Sequence, residues 1–200
     1  MPAFDLRGIT VAKYVNNNGT VTYTNKQSAG DAMNAALELR FAEGRLYAES
    51  ALAEYIRKAV GGTIGLGLKY IPNAAKKLMF GMTEKTRTVT YTEGTTEITK
   101  TVTSLQLGAK SQSSYVGLGF YAPDMVDGVQ KFTAVFAAKV LFGPPPKAFQ
   151  TSGENVNFQT DVTQGEFLPS DATDKLMLDY AVCDSEEEAI AWRDACLSAS

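Results

Sequence analysis

The residues best suited to chemistry in this chain are two cysteines, Cys183 and Cys196, and the chain has no histidine to assist them. Zinc and redox motifs place cysteines roughly two to four residues apart, usually with histidine, and this pair has no such spacing. Without histidine, Ser-His-Asp triads, Cys-His dyads and His-ligated metal sites are excluded. We therefore expect two buried, reduced thiols, and no catalytic residue, metal or cofactor.

A glycine-rich segment, GGTIGLGLK at 61–69, resembles a phosphate-binding loop only in composition. A Walker motif needs lysine directly after its last glycine, whereas Leu68 follows Gly67. No helix is predicted to begin there and offer its N-terminus to a phosphate. Because glycines inside strands more often mark bulges or close backbone contacts, we assign the segment to a strand.

A polar strand face is the remaining candidate, in FQTSGENVNFQTDVTQGEF at 149–167. Polar and apolar residues alternate, which predicts a strand with one row on the core and the other exposed. The predicted core row is Val156, Phe158 and Val162, and the predicted exposed row is Asn157, Gln159, Asp161 and Thr163. The exposed row has no cluster of catalytic groups, so it suits a wet channel wall or a subunit contact. An ordinary solvated sheet face explains it equally well.

The composition predicts one soluble globular domain over 1–200. The 200 residues are 44% hydrophobic and 20% charged, and the net charge of −3 gives no basic field for nucleic acid. The most apolar stretch, 132–142, is too short for a membrane helix and contains Lys139. The N-terminus lacks the basic and apolar regions of a signal peptide.

Most of the chain is predicted to be β. Alternation and turn residues predict strands at 9–15, 20–24, 33–41, 52–60, 62–70, 113–122 and 129–143, besides the pair at 149–167. A short helix is expected at 73–80, capped by Asn73, anchored by Ala74 and Leu78, and ended by Gly81. A second helix is expected within 184–200, where Ser185 and Glu188 form a capping box.

Residues 83–104 predict a hairpin arm with an unusual threonine face. Thr86, Thr88, Thr90 and Thr92 precede the Glu93-Gly94 turn, and Thr99, Thr101 and Thr103 follow it. Neither face is apolar enough for a core, and a two-stranded hairpin is only marginally stable in water. Such an arm is either flexible or stabilised by docking on another surface, and the strongly β-forming composition favours docking.

The ordered set of strands resembles the major tail tube protein of long-tailed (siphophage-type) bacteriophages. The similarity covers most of 9–167 and is carried by GGTIGLGL, YVGLGFY, VQKFTAVFAAKVLFGPP and the 149–167 segment, in that order. The resemblance implies a β-sandwich or small barrel with one short helix on the sheet and a C-terminal helix. It also implies hexameric rings stacked into a tube, with no catalysis.

The resemblance also implies partners and a location. The protein would contact itself, the tape-measure protein and the tail terminator and baseplate proteins, and DNA would pass transiently, with no membrane involved. It would be assembled in the host cytoplasm and reside in the virion. The candidate lumen-facing residues are Asn157, Gln159, Asp161 and Glu38, and the candidate inter-ring arm residues are Thr88, Thr90, Tyr91, Glu93, Gly94 and Ile98.

A different class of protein is also compatible with the sequence. A monomeric or small-oligomer phage β-sandwich that binds carbohydrate or a receptor would have a similar strand content. Such modules usually present exposed aromatic platforms. The single tryptophan, Trp192, instead belongs to the predicted terminal helix, where we expect its side chain to serve packing.

Overall fold

The computed structural model describes residues 5–48, 51–147 and 160–198. Ten strands and two helices account for most of this part of the chain. They are β1 (Arg7–Asn17), β2 (Thr20–Ser28), β3 (Ala32–Ala48), β4 (Ala51–Leu68), α1 (Asn73–Phe80), β5 (Thr83–Glu93), β6 (Thr96–Gln106), β7 (Tyr115–Val126), β8 (Val129–Phe142), β9 (Asp161–Phe167), β10 (Leu178–Cys183) and α2 (Glu186–Cys196). The predicted mainly β fold with two helices is confirmed.

Eight strands form one antiparallel sheet in the order β2-β1-β7-β8-β9-β4-β3. β8 has two partners on one side, because its N-terminal half pairs with β10 and its C-terminal end pairs with β9. Among the described strands, β5 and β6 pair with each other alone, as a separate two-stranded sheet. The sheet therefore divides at β8 into two branches.

The main core lies between the two halves of the sheet. Side chains of β1, β7 and β8, such as Val11, Leu118 and Val140, pack in one cluster with Leu66 of β4 and Phe167 of β9. Burying apolar side chains of this size is the dominant stabilising contribution, at about 25 cal/mol per Å². Helix α1 completes this cluster with four buried side chains, Ala75, Leu78, Met79 and Phe80.

Both helices form near their predicted positions, with differences at their ends. Gly81 ends α1 in the left-handed conformation (φ 63°), as predicted, but Asn73 is its first helical residue and Pro72 stands at the N-cap. Ala74 is exposed and Ala75 takes its expected place against the core. In α2, the Ser185 hydroxyl accepts the predicted bond from the Glu188 N–H at 3.1 Å.

One pair of strand predictions is wrong in extent. The segments 52–60 and 62–70 were expected to be separate strands, but they form a single strand, β4, which continues through a bulge next to Gly61. In β8, which covers most of the predicted strand 129–143, both faces are covered. Phe136 and Ala138 pack toward α2, whereas Val135 and Ala137 face the main core.

Candidate functional site

The polar strand face lies on the opposite side of β9 from its predicted side. Within β9, Asp161, Thr163, Gly165 and Phe167 are buried, and Val162, Gln164 and Glu166 are exposed. The register explains this, because Asp161 and Thr163 pair with the buried residues Leu68 and Leu66 of β4. The placement of Asp161 on an exposed face is therefore wrong, since its side chain belongs to the interior.

Asp161 is held by three groups from different parts of the chain. Its carboxylate accepts hydrogen bonds from the Lys147 ammonium at 2.6 Å and from the backbone N–H of Ile71 at 3.1 Å. The Lys76 ammonium lies 4.0 Å away. Burial raises the pKa of the Asp161 carboxyl, but the Lys147 and Ile71 hydrogen bonds and the charges of both lysines outweigh it and lower the pKa. Asp161 thus acts as a structural anchor next to α1.

The other predicted lumen residues have different outcomes. Asn157 and Gln159 lie outside the described residues. Glu38 is exposed on the face of β3 that points away from the core, and its position in a lumen stays a prediction. Its neighbours on this face are Thr63 of β4 and, across Thr63, Glu166 of β9.

Glu38 belongs to a polar face that three strands form together. We call this set the β9–β4–β3 outer face; its members are Asn34, Ala36, Glu38, Arg40, Thr63, Gly65, Val162, Gln164 and Glu166. Its ionisable side chains are two carboxylates, Glu38 and Glu166, and the Arg40 guanidinium, and all three are exposed. Sequence reasoning missed Gln164 and Glu166, although their alternation with the buried Phe167 carried the signal. The face is polar and open to water.

The threonine hairpin forms as predicted and stands apart from the core. β5 and β6 pair from Thr83↔Gln106 to Glu93↔Thr96, and Gly94 takes the left-handed conformation at the turn. The Thr90 and Thr99 hydroxyls are 3.1 Å apart on the threonine face, and Thr88 lies on the same face. On the other face Tyr91 pairs with Ile98, next to Val89 and Lys100. Every β5 residue is exposed.

A second arm, formed by β3 and β4, was not predicted. Pairing continues past the core to Ala48↔Ala51, so residues 40–48 and 51–60 extend as a hairpin whose turn lies outside the described residues. On the core-side face, the Arg57 guanidinium lies 3.8 Å from the Phe41 ring centre and 3.5 Å from the Glu43 carboxylate. On the opposite face Leu46 and Ile56 are exposed. No strong turn residue in the sequence marks this arm.

Another cluster of titratable groups connects β1, β8 and the segment before β10. The Lys139 ammonium lies 2.7 Å from the Asp171 carboxylate, which also accepts a hydrogen bond from the Tyr14 hydroxyl at 3.0 Å. The Lys139 hydrogen bond and then the Tyr14 hydrogen bond lower the pKa of Asp171. These paired groups fasten the 168–177 segment to the sheet.

The two cysteines lie in different environments, Cys183 buried and Cys196 half-buried, and both are free thiols. Burial raises the pKa of both, that of Cys196 to about 11. Within residues 5–48, 51–147 and 160–198, no group of three or more potential ligands could hold a metal ion. In that same part of the chain, no helix has the length and apolar character to cross a membrane. Comparisons with protein-family models and with curated proteins find no match.

Proposed function

We propose that this protein is a self-assembling structural subunit whose copies form hexameric rings that stack into the tail tube of a bacteriophage. The observation that carries the proposal is a pair of hairpin arms, β3–β4 and β5–β6. Both arms extend away from the packed core of the subunit. With the resemblance in strand order, the arms supply what a stacked tube needs, namely long segments that can reach neighbouring copies.

The arms also have an energetic reason to find partners. A two-stranded hairpin is at best marginally stable in water, because neither face is covered. Apolar side chains on the arms, including Leu46, Ile56, Tyr91 and Val102, are exposed in the single chain. Docking on another copy would bury this surface, and ring symmetry would repeat each modest contact. Assembly then adds stability that one chain lacks.

The β9–β4–β3 outer face is the best candidate for the channel wall. Each inward residue of a ring becomes a circle of identical groups, so Glu38 and Glu166 would make acidic circles, Gln164 a neutral one and Arg40 a single basic one. DNA binds by releasing counterions when lysine or arginine contacts phosphate, and among the members of this face only Arg40 offers such a contact, beside the Glu38 carboxylate. The tape-measure protein would fill this channel before DNA passes.

Size-exclusion chromatography coupled to light scattering, followed by negative-stain imaging, tests the proposal. We expect a concentration-dependent change from monomer to large species, with rings or tubes in the images. The matched control replaces residues 83–104 with a short Gly-Ser linker, which removes one arm and keeps the core. A single monomer peak at every concentration and salt condition would refute the tube and support the binding-module alternative.

A further inference from the structure

The three-stranded region formed by β7, β8 and β10 has a face that nothing in residues 5–48, 51–147 and 160–198 covers as a layer. Leu178 of β10 packs on the main core, so Tyr180 and Val182, two and four residues later, share its face. They pair with Val135 and Thr133 of β8. Tyr180 is 56% and Val182 62% exposed, so the core-side face of the sheet continues past the core.

The same uncovered face continues onto the β7–β8 hairpin. Asp124 pairs with Lys131, and Val126 pairs with Val129. Both valines are exposed. The Thr133 hydroxyl donates to the Asp124 carboxylate at 3.3 Å, which places these groups on one surface. We call this surface the β10 face; its members are Asp124, Val126, Val129, Lys131, Thr133, Tyr180 and Val182.

The β10 face carries more negative than positive charge. Asp124 lies on the face, and Asp127 lies at the adjoining β7–β8 turn. The single lysine of the face, Lys131, is already paired with Asp184. Asp179 alternates to the opposite side of the sheet, where α2 and its glutamates pack. A partner for this region should therefore combine apolar side chains with positive charge.

The β5–β6 hairpin carries such a surface on its non-threonine face. Pairing places Arg87 beside Val102, and Lys100 beside Val89. Lys85 lies on the same face near the base, and Glu93 lies on it at the turn, whereas Glu84 and Glu97 lie on the threonine face. This face is thus apolar along its middle and carries all three of the hairpin's cations. Each strand of eleven residues spans about 35 Å, which is enough to cross the three strands of the β10 face.

We propose that the non-threonine face of the β5–β6 hairpin docks on the β10 face of a second copy of this chain. The inference rests on the proposed function and names the two surfaces that meet. Opposite charges favour encounter and fix the orientation, and burial of the valines and tyrosines supplies affinity. Because the two surfaces differ, the contact is head-to-tail, and such contacts either close into rings or continue as filaments.

Thiol cross-linking between two populations of the protein tests this contact. One population carries Val102→Cys and the other Tyr180→Cys, and a short-reach bifunctional thiol reagent is added after mixing under assembly conditions. We expect a cross-linked dimer joining residues 102 and 180 by peptide mass spectrometry. Thr101→Cys is the matched control, because residue 101 points to the opposite face of the hairpin; its cross-linking yield should be at least several-fold lower.

Charge reversal provides a second measurement. Arg87→Glu combined with Lys100→Glu should raise the protein concentration needed for assembly by about tenfold or more, while Glu84→Lys, on the threonine face, should leave it nearly unchanged. Rings or tubes that form without the 102–180 cross-link, or with equal cross-linking from residue 101, would overturn this inference and leave the tube proposal standing. Failure of the wild-type chain to assemble would overturn both.

Discussion

Replacing Asp161 with alanine should lower the free energy of unfolding of the isolated subunit by more than most single substitutions do. Asp161 is 8% exposed, and its carboxylate accepts hydrogen bonds from Lys147 and from the Ile71 backbone. Alanine removes the acceptor and leaves the Ile71 N–H without a partner inside the protein. It also leaves Lys76 and Lys147 close together without the carboxylate that now separates their charges.

The magnitude follows from those contacts. A hydrogen bond to a charged group contributes about 1.5 to 3 kcal/mol, and a stranded buried N–H costs about 1 to 3 kcal/mol. Lys147 is half-exposed, so water replaces part of its lost interaction, and we expect a net loss of about 3 kcal/mol. For a chain of this size that loss lowers the melting temperature by roughly 6 to 12 °C. Asp161→Asn keeps an acceptor and should lose about half as much.

The pH dependence separates the charge of Asp161 from its shape. A carboxyl whose folded pKa lies below its unfolded value stabilises the fold above the unfolded pKa, and this stability is lost as the pH falls through the folded pKa. The difference in melting temperature between wild type and Asp161→Asn should therefore be largest near neutral pH. It should shrink as the pH falls below the ordinary carboxyl value of 3.8.

Thermal unfolding monitored by circular dichroism, at a protein concentration that keeps the chain monomeric, gives these values. Glu166→Gln is the matched control, because it neutralises an exposed carboxylate on the same strand and should change stability by less than about 0.5 kcal/mol. If Asp161→Ala melted within a degree or so of wild type, the carboxylate would not be an anchor. A difference between wild type and Asp161→Asn that stayed constant down to acid pH would show that charge is not involved.

Three further outcomes are expected. Gln164→Lys should leave the melting temperature unchanged but slow DNA ejection from assembled particles, because a ring of lysines binds phosphate, and the effect should be larger at low salt. Ejection at the wild-type rate would show that the β9–β4–β3 outer face does not line the channel. A Gly-Ser replacement of 83–104 should keep a cooperative melt and abolish tubes, and loss of the melt in calorimetry would instead assign the hairpin to the core. Because burial raises the pKa of Cys183 and Cys196, a thiol reagent at about pH 8 should label the native protein slowly and the unfolded protein at once. Rapid labelling of the native protein would contradict the burial of these thiols.

Local signals in the sequence were sufficient for the hairpins whose turn chemistry is explicit. Asn18 and Gly19 close β1–β2 with positive φ, and Gly94 closes the threonine hairpin. The capping bond of Ser185 was likewise visible in the spacing of two residues. Such features depend on neighbours within a few positions, so the sequence alone specifies them.

Features that depend on distant partners were missed. Alternation gives the period of a strand but not which row faces the core, and Val162 suggested the wrong row in β9. The correct row depends on Lys147 and the Ile71 N–H, which satisfy Asp161 in the interior. The β3–β4 arm was hidden for a similar reason, because the Arg57–Phe41 contact joins two strands whose pairing the sequence does not display.

The correction at Asp161 also changes which substitutions can report on the channel. A lysine at position 161 would stand beside Lys147 and Lys76 in a buried site, so it should prevent folding before any effect on DNA could be measured. Positions 38 and 164 are exposed, on the side of the sheet away from the main core. Stability and assembly therefore depend on two separate groups of side chains. The first group, which stabilises the folded subunit, comprises Asp161, the core cluster and the helices. The second group, which remains exposed, comprises the two arms, the β10 face and the β9–β4–β3 outer face. Substitutions of the first group should lower the melting temperature of the monomer, and substitutions of the second should change only assembly or DNA passage. A residue of the second group that lowered both would show that its surface is already occupied within the single subunit.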